Sequence, residues 1–199
     1  MEAWSLFLSQ KNFGKQGKYG LNISAMPRYS FESENFYQNL LGLSGLYRVN
    51  KKITVALGYL NDMNDKFSIK EKRSFIDLLY SMGSSSGKLL IRSRLEYRIF
   101  NGVKRDGLRG RLMGRYDFKE SVLFDNFKPF FSEEVLIDLK KQHWGNQMGF
   151  VQNRLYLGMR TSATKSTKLD LAALVILNQR STTVDRIIMA PFIGLLHFW

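Results

Sequence analysis

Two neighbouring stretches of the chain alternate between apolar and charged residues with a period of two. From residue 88 to 99 and from 108 to 119, one parity is apolar, aromatic or small, and the other carries most of the charge. A helix would spread these charges around its circumference, whereas a β-strand places them on one face. The arginines on that face are Arg92, Arg94, Arg98, Arg109, Arg111 and Arg115. The pattern therefore predicts two amphipathic strands.

The same alternation, weaker in places, divides the whole chain into eleven segments and gives no convincing helix. They cover residues 4–13, 19–29, 37–49, 53–59, 74–82, 88–99, 108–119, 130–139, 151–160, 168–177 and 186–199. Strands of about ten to thirteen residues exceed the soluble mode of roughly five to six and match tilted membrane strands. We predict a closed antiparallel transmembrane β-barrel of ten to twelve strands, with residues 1–199 as a single domain. Because bacterial barrels normally have even strand numbers, one segment is expected to be split or missed, or the first not to close the barrel.

The connections and the aromatic residues fit a membrane barrel. Short turns at 14–17, 50–51, 84–87 and 164–166 alternate with longer polar stretches at 62–73, 101–106, 140–147 and 178–185. Rings that belong at a headgroup interface fall at or near the ends of the apolar faces: Tyr19, Tyr29, Tyr37, Tyr47, Tyr59, Tyr97, Tyr116 and Phe118. The last residues resemble the terminal signal of outer-membrane insertion, with Gly194 and the final Trp199 in place. We therefore expect the carboxyl terminus and the short turns on the periplasmic side.

Composition narrows the compartment and the partners. The 30 Lys and Arg residues against 17 Asp and Glu leave a net charge of +13, which by itself suggests a nucleic-acid partner. The aromatics, however, fall on the face opposite the arginines, so base stacking between them is not expected. The longest uncharged apolar stretch, 187–196, contains Pro191 and Gly194 and is too short for a helical span. The first residues have no leader pattern, so export to the outer membrane implies a leader already removed.

Arginine at the lipid midplane costs roughly 2–4 kcal/mol, so these side chains are predicted to face inward. The predicted lumen-lining residues are Arg92, Arg94, Glu96, Arg98, Arg109, Arg111, Arg115, Asp117, Glu134, Arg154 and Arg160, with Asp138 and Asp170 as further counter-charges. Two interpretations follow. The arginines either pair with carboxylates into a plug that fills the lumen, or line an anion-attracting bore. In the plug, Arg94 and Arg111 are expected to hold Glu96 and Asp117.

Catalytic and metal-binding patterns are weak. Ser132, Glu133 and Glu134 lie about one strand length from His143, but no nucleophile-elbow motif frames a serine. The two histidines and scattered acids show no metal-ligand spacing, and the chain has no cysteine. We therefore expect no enzyme activity, no metal and no cofactor.

Several short motifs, in order, resemble an uncharacterised bacterial family of outer-membrane β-barrels known only as a domain of unknown function. They are Trp4, residues 46–52 before 56–59, 94–98, 109–111 with 115–116, Pro129 ahead of 132–134, and 152–158. The resemblance covers nearly the whole chain and implies the barrel fold, but it brings no activity with it. The segment 174–176 departs from the pattern, and the last strand is apolar on both faces.

These observations lead to three functional hypotheses. The first is a structural or accessory subunit of an outer-membrane assembly, in contact with outer-membrane lipid, lipopolysaccharide and protein partners and with no nucleic acid. The doubly apolar last strand favours it as a partner contact. The second is a narrow anion-preferring pore, and the third is a lipid-modifying enzyme.

Overall fold

The computed structural model describes residues 2–64, 69–101, 106–121, 126–140, 148–179 and 184–199. These residues form eleven strands and one short 3-10 turn, Lys15–Gly17. The strands are β1 Glu2–Phe13, β2 Tyr19–Ser30, β3 Asn35–Arg48, β4 Ile53–Asn64, β5 Ile69–Gly83, β6 Gly87–Phe100, β7 Gly107–Phe118, β8 Lys128–Asp138, β9 Gly149–Ser162, β10 Thr167–Gln179 and β11 Val184–Phe198.

The sheet closes on itself as a barrel in which each strand pairs with its neighbours in sequence. All of these pairs are antiparallel except the closing pair, in which β1 runs parallel to β11, with Trp4 opposite Phe192 and Gln10 opposite Phe198. Successive strands reverse direction, so the first and the eleventh must run the same way. The predicted barrel of ten to twelve strands is confirmed, and the expectation of an even number is wrong because the first strand closes the barrel in parallel.

Side chains alternate across the barrel wall. On β6 and β7 the apolar parity faces outward, with Leu112 55% and Tyr97 44% exposed, while Glu96 and Arg98 are buried on the other side. The side chains that line the interior are defined here as the lumen. The prediction that the Tyr37 ring lies at the headgroup interface is wrong. A register shift between β2 and β3 places it in a buried position, where its hydroxyl donates to Glu2 at 2.7 Å.

The connections alternate less regularly than the sequence indicates. The stretch 62–73 is not a long loop, because β4 runs to Asn64 and β5 starts at Ile69. At the carboxyl-terminal end of the barrel, the connection between β7 and β8 spans residues 119–127 and is the longest there. The sequence hides the end of β4 and the start of β5 because both faces are polar, so no apolar parity marks them.

Candidate functional site in the barrel interior

Ion pairs between strands that are not neighbours define the interior. Arg92 on β6 contacts Glu134 on β8 at 2.6 Å, and Arg115 on β7 contacts Asp170 on β10 at 2.8 Å. Intervening strands separate each pair along the wall, so the side chains meet through the lumen. The structure brings the eleven predicted lumen residues together in three clusters of ion pairs, one at the centre of the barrel and one towards each end.

The centre of the network is built around Glu96, whose side chain is fully buried on β6. Arg111 contacts Glu96 and Glu134 at 2.7 Å each and so bridges two carboxylates. Arg94 lies 3.4 Å from Glu96 and holds Asp77 with two parallel hydrogen bonds of 2.6 and 2.7 Å. Bidentate pairing of this kind fixes both side chains in position. The prediction that Asp117 pairs with these arginines is wrong, because Arg94 and Arg111 contact Asp77, Glu96 and Glu134.

A second cluster lies near the end of the barrel that carries the amino terminus. Arg73 donates to Asp62 and, at 2.9 Å, to Glu71, which also accepts from Arg98. Arg109 and Asp138 pair at 2.7 Å on neighbouring strands. Gln38 adds two amide hydrogen bonds to Asp62.

A third cluster lies near the carboxyl-terminal end. Asp170 on β10 accepts two hydrogen bonds from Arg160, at 2.6 and 2.8 Å, and a third from Arg115. Arg115 also donates to Asp117 at 2.8 Å. Asp117 therefore pairs within this cluster, close to the barrel mouth, and its side chain is 21% exposed.

One side of the lumen is apolar. Trp4, Leu174, Ile176 and Ala190 form a buried cluster contributed by β1, β10 and β11. The Arg28 guanidinium stacks 3.5 Å from the centre of the Trp4 ring. The second apolar face of β11 thus lies inside the barrel, where it packs against β1 and β10.

Side chains fill the bore between these groups. Arg94 lies 3.7 Å from the centre of the Phe75 ring and Arg115 lies 3.8 Å from that of Phe130. Gly58 on β4 makes room for Phe75, since a Cβ there would approach the ring to 2.2 Å. Every paired lumen arginine and carboxylate is at most 21% exposed. A wide water-filled channel would expose these groups, so the lumen is packed.

Sequence reasoning missed five charged members of the network. They are Arg28, Asp62, Glu71, Arg73 and Asp77. The signal was present, because the odd residues from Glu71 to Asp77 share one face of β5. Lys70 and Lys72 on the outward face near the rim removed the apolar parity that marks a membrane strand.

The residues considered for catalysis do not come together. Ser132 and Glu134 face the lumen and Glu133 faces outward, while His143 lies outside the described residues. In the described part of the chain, no group of three His, Cys, Asp or Glu side chains has the arrangement of a metal site.

The two residues of the predicted insertion signal, one in β11 and one directly after it, point to opposite sides of the barrel wall. Gly194 faces inward between Asp170 and Phe192. Trp199 is 72% exposed, and its indole donates to Ser9 on β1 at 2.8 Å. Trp199 therefore adds a side-chain hydrogen bond at the closing pair of strands, β1 and β11. We call this pair the closing seam.

Fold and interior together define a transmembrane β-barrel with an ion-paired lumen. The chain belongs to the family described as "Protein of unknown function (DUF2490)", whose model matches residues 1–187. No curated protein matches the sequence. A solved NanC porin shares the fold, with a TM-score of 0.56, 10% sequence identity, and coverage of 87% of this chain and 86% of the porin. Among the described residues, no helix is long and apolar enough to cross a membrane.

Proposed function

We propose that the protein is an integral outer-membrane barrel whose lumen is closed by paired side chains, and that it serves an outer-membrane assembly as a structural or accessory subunit. The observation that carries the closed lumen is the network around Glu96, Arg111 and Glu134, in which the carboxylates are at most 4% exposed. A solute that crosses the barrel would have to break these contacts. Outer-membrane location is supported by the porin-like fold and by the exposed apolar outer face.

Charge balance supports closure. Among the described residues, the three clusters of ion pairs and Arg28 together contain ten arginines: Arg28, Arg73, Arg92, Arg94, Arg98, Arg109, Arg111, Arg115, Arg154 and Arg160. They contain eight carboxylates: Asp62, Glu71, Asp77, Glu96, Asp117, Glu134, Asp138 and Asp170. The net charge of +13 is therefore mostly located elsewhere in the molecule.

A liposome-swelling assay tests the closed lumen. Vesicles that contain the purified barrel should swell no faster than empty vesicles in isotonic sugars or salts, because the central network blocks passage. Rapid swelling would contradict closure. The accessory role requires a stable complex, so mild extraction from native membranes should yield a particle heavier than one barrel in its detergent belt.

A narrow anion-preferring pore is the second candidate, since arginines outnumber carboxylates by two among the clustered lumen groups. Within the three clusters of ion pairs, Arg92 and Arg160 are the most exposed arginines, at 21% each. The Nε of Arg92 has no hydrogen-bond partner among the described residues. Swelling in small anions but not in sugars would favour this pore over the plug.

A further inference from the structure

One carboxylate lies on the outer face of the barrel rather than in the lumen. Glu133 is the central residue of β8, five residues from either end, and it is exposed between the buried Ser132 and Glu134. The other outward charges whose side chains are described, Lys11, Lys70 and Lys72, lie within three residues of a strand end. An ionisable group at mid-depth in a bilayer is costly, and such groups normally have a partner.

Glu133 has a neighbour that satisfies it only in part. Asn153 on β9 also faces outward, and its amide donates to Glu133 Oε1 at 2.8 Å. An asparagine amide has two N–H donors and a carboxylate accepts several hydrogen bonds. Within the described residues, the second N–H of Asn153 and Oε2 of Glu133 form no hydrogen bond. The pair thus presents one donor and one acceptor to the surroundings.

The outer face of the barrel wall beside this pair carries few side-chain atoms, because two glycines lie there. Gly114 on β7 is the cross-strand neighbour of Glu133, and a Cβ added there would meet nothing within 4 Å. Gly110 lies on the same face of β7, and its added Cβ would meet its nearest atom at 3.7 Å. Small residues allow two membrane segments to approach closely. We call the outer face of β7–β9 around Glu133 and Asn153 the Glu133 surface.

We propose that the Glu133 surface is where a second copy of this chain binds, with a twofold axis parallel to the barrel axis. Such an axis brings the same depth of both barrels together. Each Asn153 can then donate its free N–H to the Glu133 of the other copy, so the surface is complementary to itself. The proposal deepens the proposed role as an assembly subunit and rests on it.

Cysteine cross-linking in vesicles tests the contact, because the chain has no cysteine of its own. Val135, the cross-strand neighbour of Asn153, gives the probe Val135→Cys. Leu43→Cys on the outer face of β3, across the barrel, is the matched control. At low protein-to-lipid ratio, oxidation should produce Val135→Cys dimers about tenfold faster than Leu43→Cys dimers. This is the preference expected from two hydrogen bonds between the barrels within the membrane.

Removing either half of the pair should abolish the preference. Glu133→Leu or Asn153→Leu, added to Val135→Cys, should lower the rate to that of Leu43→Cys, and both replacements suit a lipid-facing site. Equal rates for the two probes, or no effect of either replacement, would overturn the proposal. The proposal would also be overturned if Val135→Cys in native membranes formed cross-links only with a different polypeptide and none with a second copy.

Failure of the dimer can be separated from failure of the closed lumen. The Glu133→Leu barrel keeps its interior network, so vesicles that contain it should remain impermeable. Swelling of these vesicles would contradict the proposed function, whatever the cross-linking shows.

Discussion

Arg111 shows how single residues close the lumen. Its guanidinium lies 2.7 Å from both Glu96 and Glu134, which are almost completely buried. A buried ion pair is weak evidence for net stability, because desolvation offsets much of the attraction. Removing one partner is different, since the remaining charge stays buried without compensation.

Arg111→Ser should therefore lower the free energy of unfolding by about 3 kcal/mol. Glu134 keeps contacts with Arg92 and Arg154, whereas Glu96 keeps the 3.4 Å contact with Arg94. Urea unfolding of the barrel in lipid vesicles measures the change. The control is Arg186→Ser, whose side chain is 53% exposed and lies 3.6 Å from Glu2, and it should cost less than about 1 kcal/mol. Equal losses for the two variants would contradict the account.

The closing seam is the element that distinguishes this barrel from one with an even strand number. Seven residue pairs join β1 to β11 in parallel, from Trp4 with Phe192 to Gln10 with Phe198. Parallel pairing of the first and last strands follows from the odd number and places the two chain ends at opposite ends of the barrel.

A disulfide across the seam tests this register. Ser5 and Ile193 are paired and both face outward, so Ser5→Cys with Ile193→Cys should form an intramolecular disulfide on oxidation of the folded barrel. Ser5→Cys with Ile187→Cys is the control, because six residues along a strand span about 20 Å. A disulfide in the control pair, or none in the test pair, would show that the seam has another register.

The strands could be predicted from the sequence where one parity is apolar throughout, as on β6 and β7. The start of β5 could not, because Lys70 and Lys72 are polar on the outward face as well. The packing of the inner face of β11 could not be predicted either, since that face packs on Trp4 from the opposite end of the chain. Parity fixes the face of a side chain. Contacts such as Arg115 with Asp170 depend on the curvature of the closed barrel and cannot be read from parity.

At the scale of the whole molecule, the excess positive charge is collected at the carboxyl-terminal end. The short turns and strand ends there contain eleven basic residues: Lys11, Lys15, Lys18, Arg48, Lys51, Lys52, Lys88, Lys119, Lys128, Lys165 and Lys168. Among the described residues, the acids of the same region are Asp117 and Glu120. The charge that by composition suggests nucleic acid therefore belongs largely to one rim of a membrane barrel.

The orientation in the membrane can be measured with single cysteines. If the carboxyl terminus is periplasmic, a membrane-impermeant maleimide should label Ser33→Cys, between β2 and β3, on intact cells. Ser85→Cys, in the turn between β5 and β6, should react after the outer membrane is opened. Both positions are exposed, so access to the reagent decides the result. The reverse pattern would invert the assigned orientation.

Planar-bilayer recording tests the central claim, a lumen closed by paired charges, most directly. The unmodified protein should show no steady conductance at moderate voltage, because the contacts of Arg94 and Arg111 with Asp77, Glu96 and Glu134 fill the centre of the bore. If the lumen were open, its excess arginines would favour anions, and the preference would weaken as salt screens them. Silence from the inserted barrel is the predicted result, and a steady anion-selective current from the unmodified protein would contradict it.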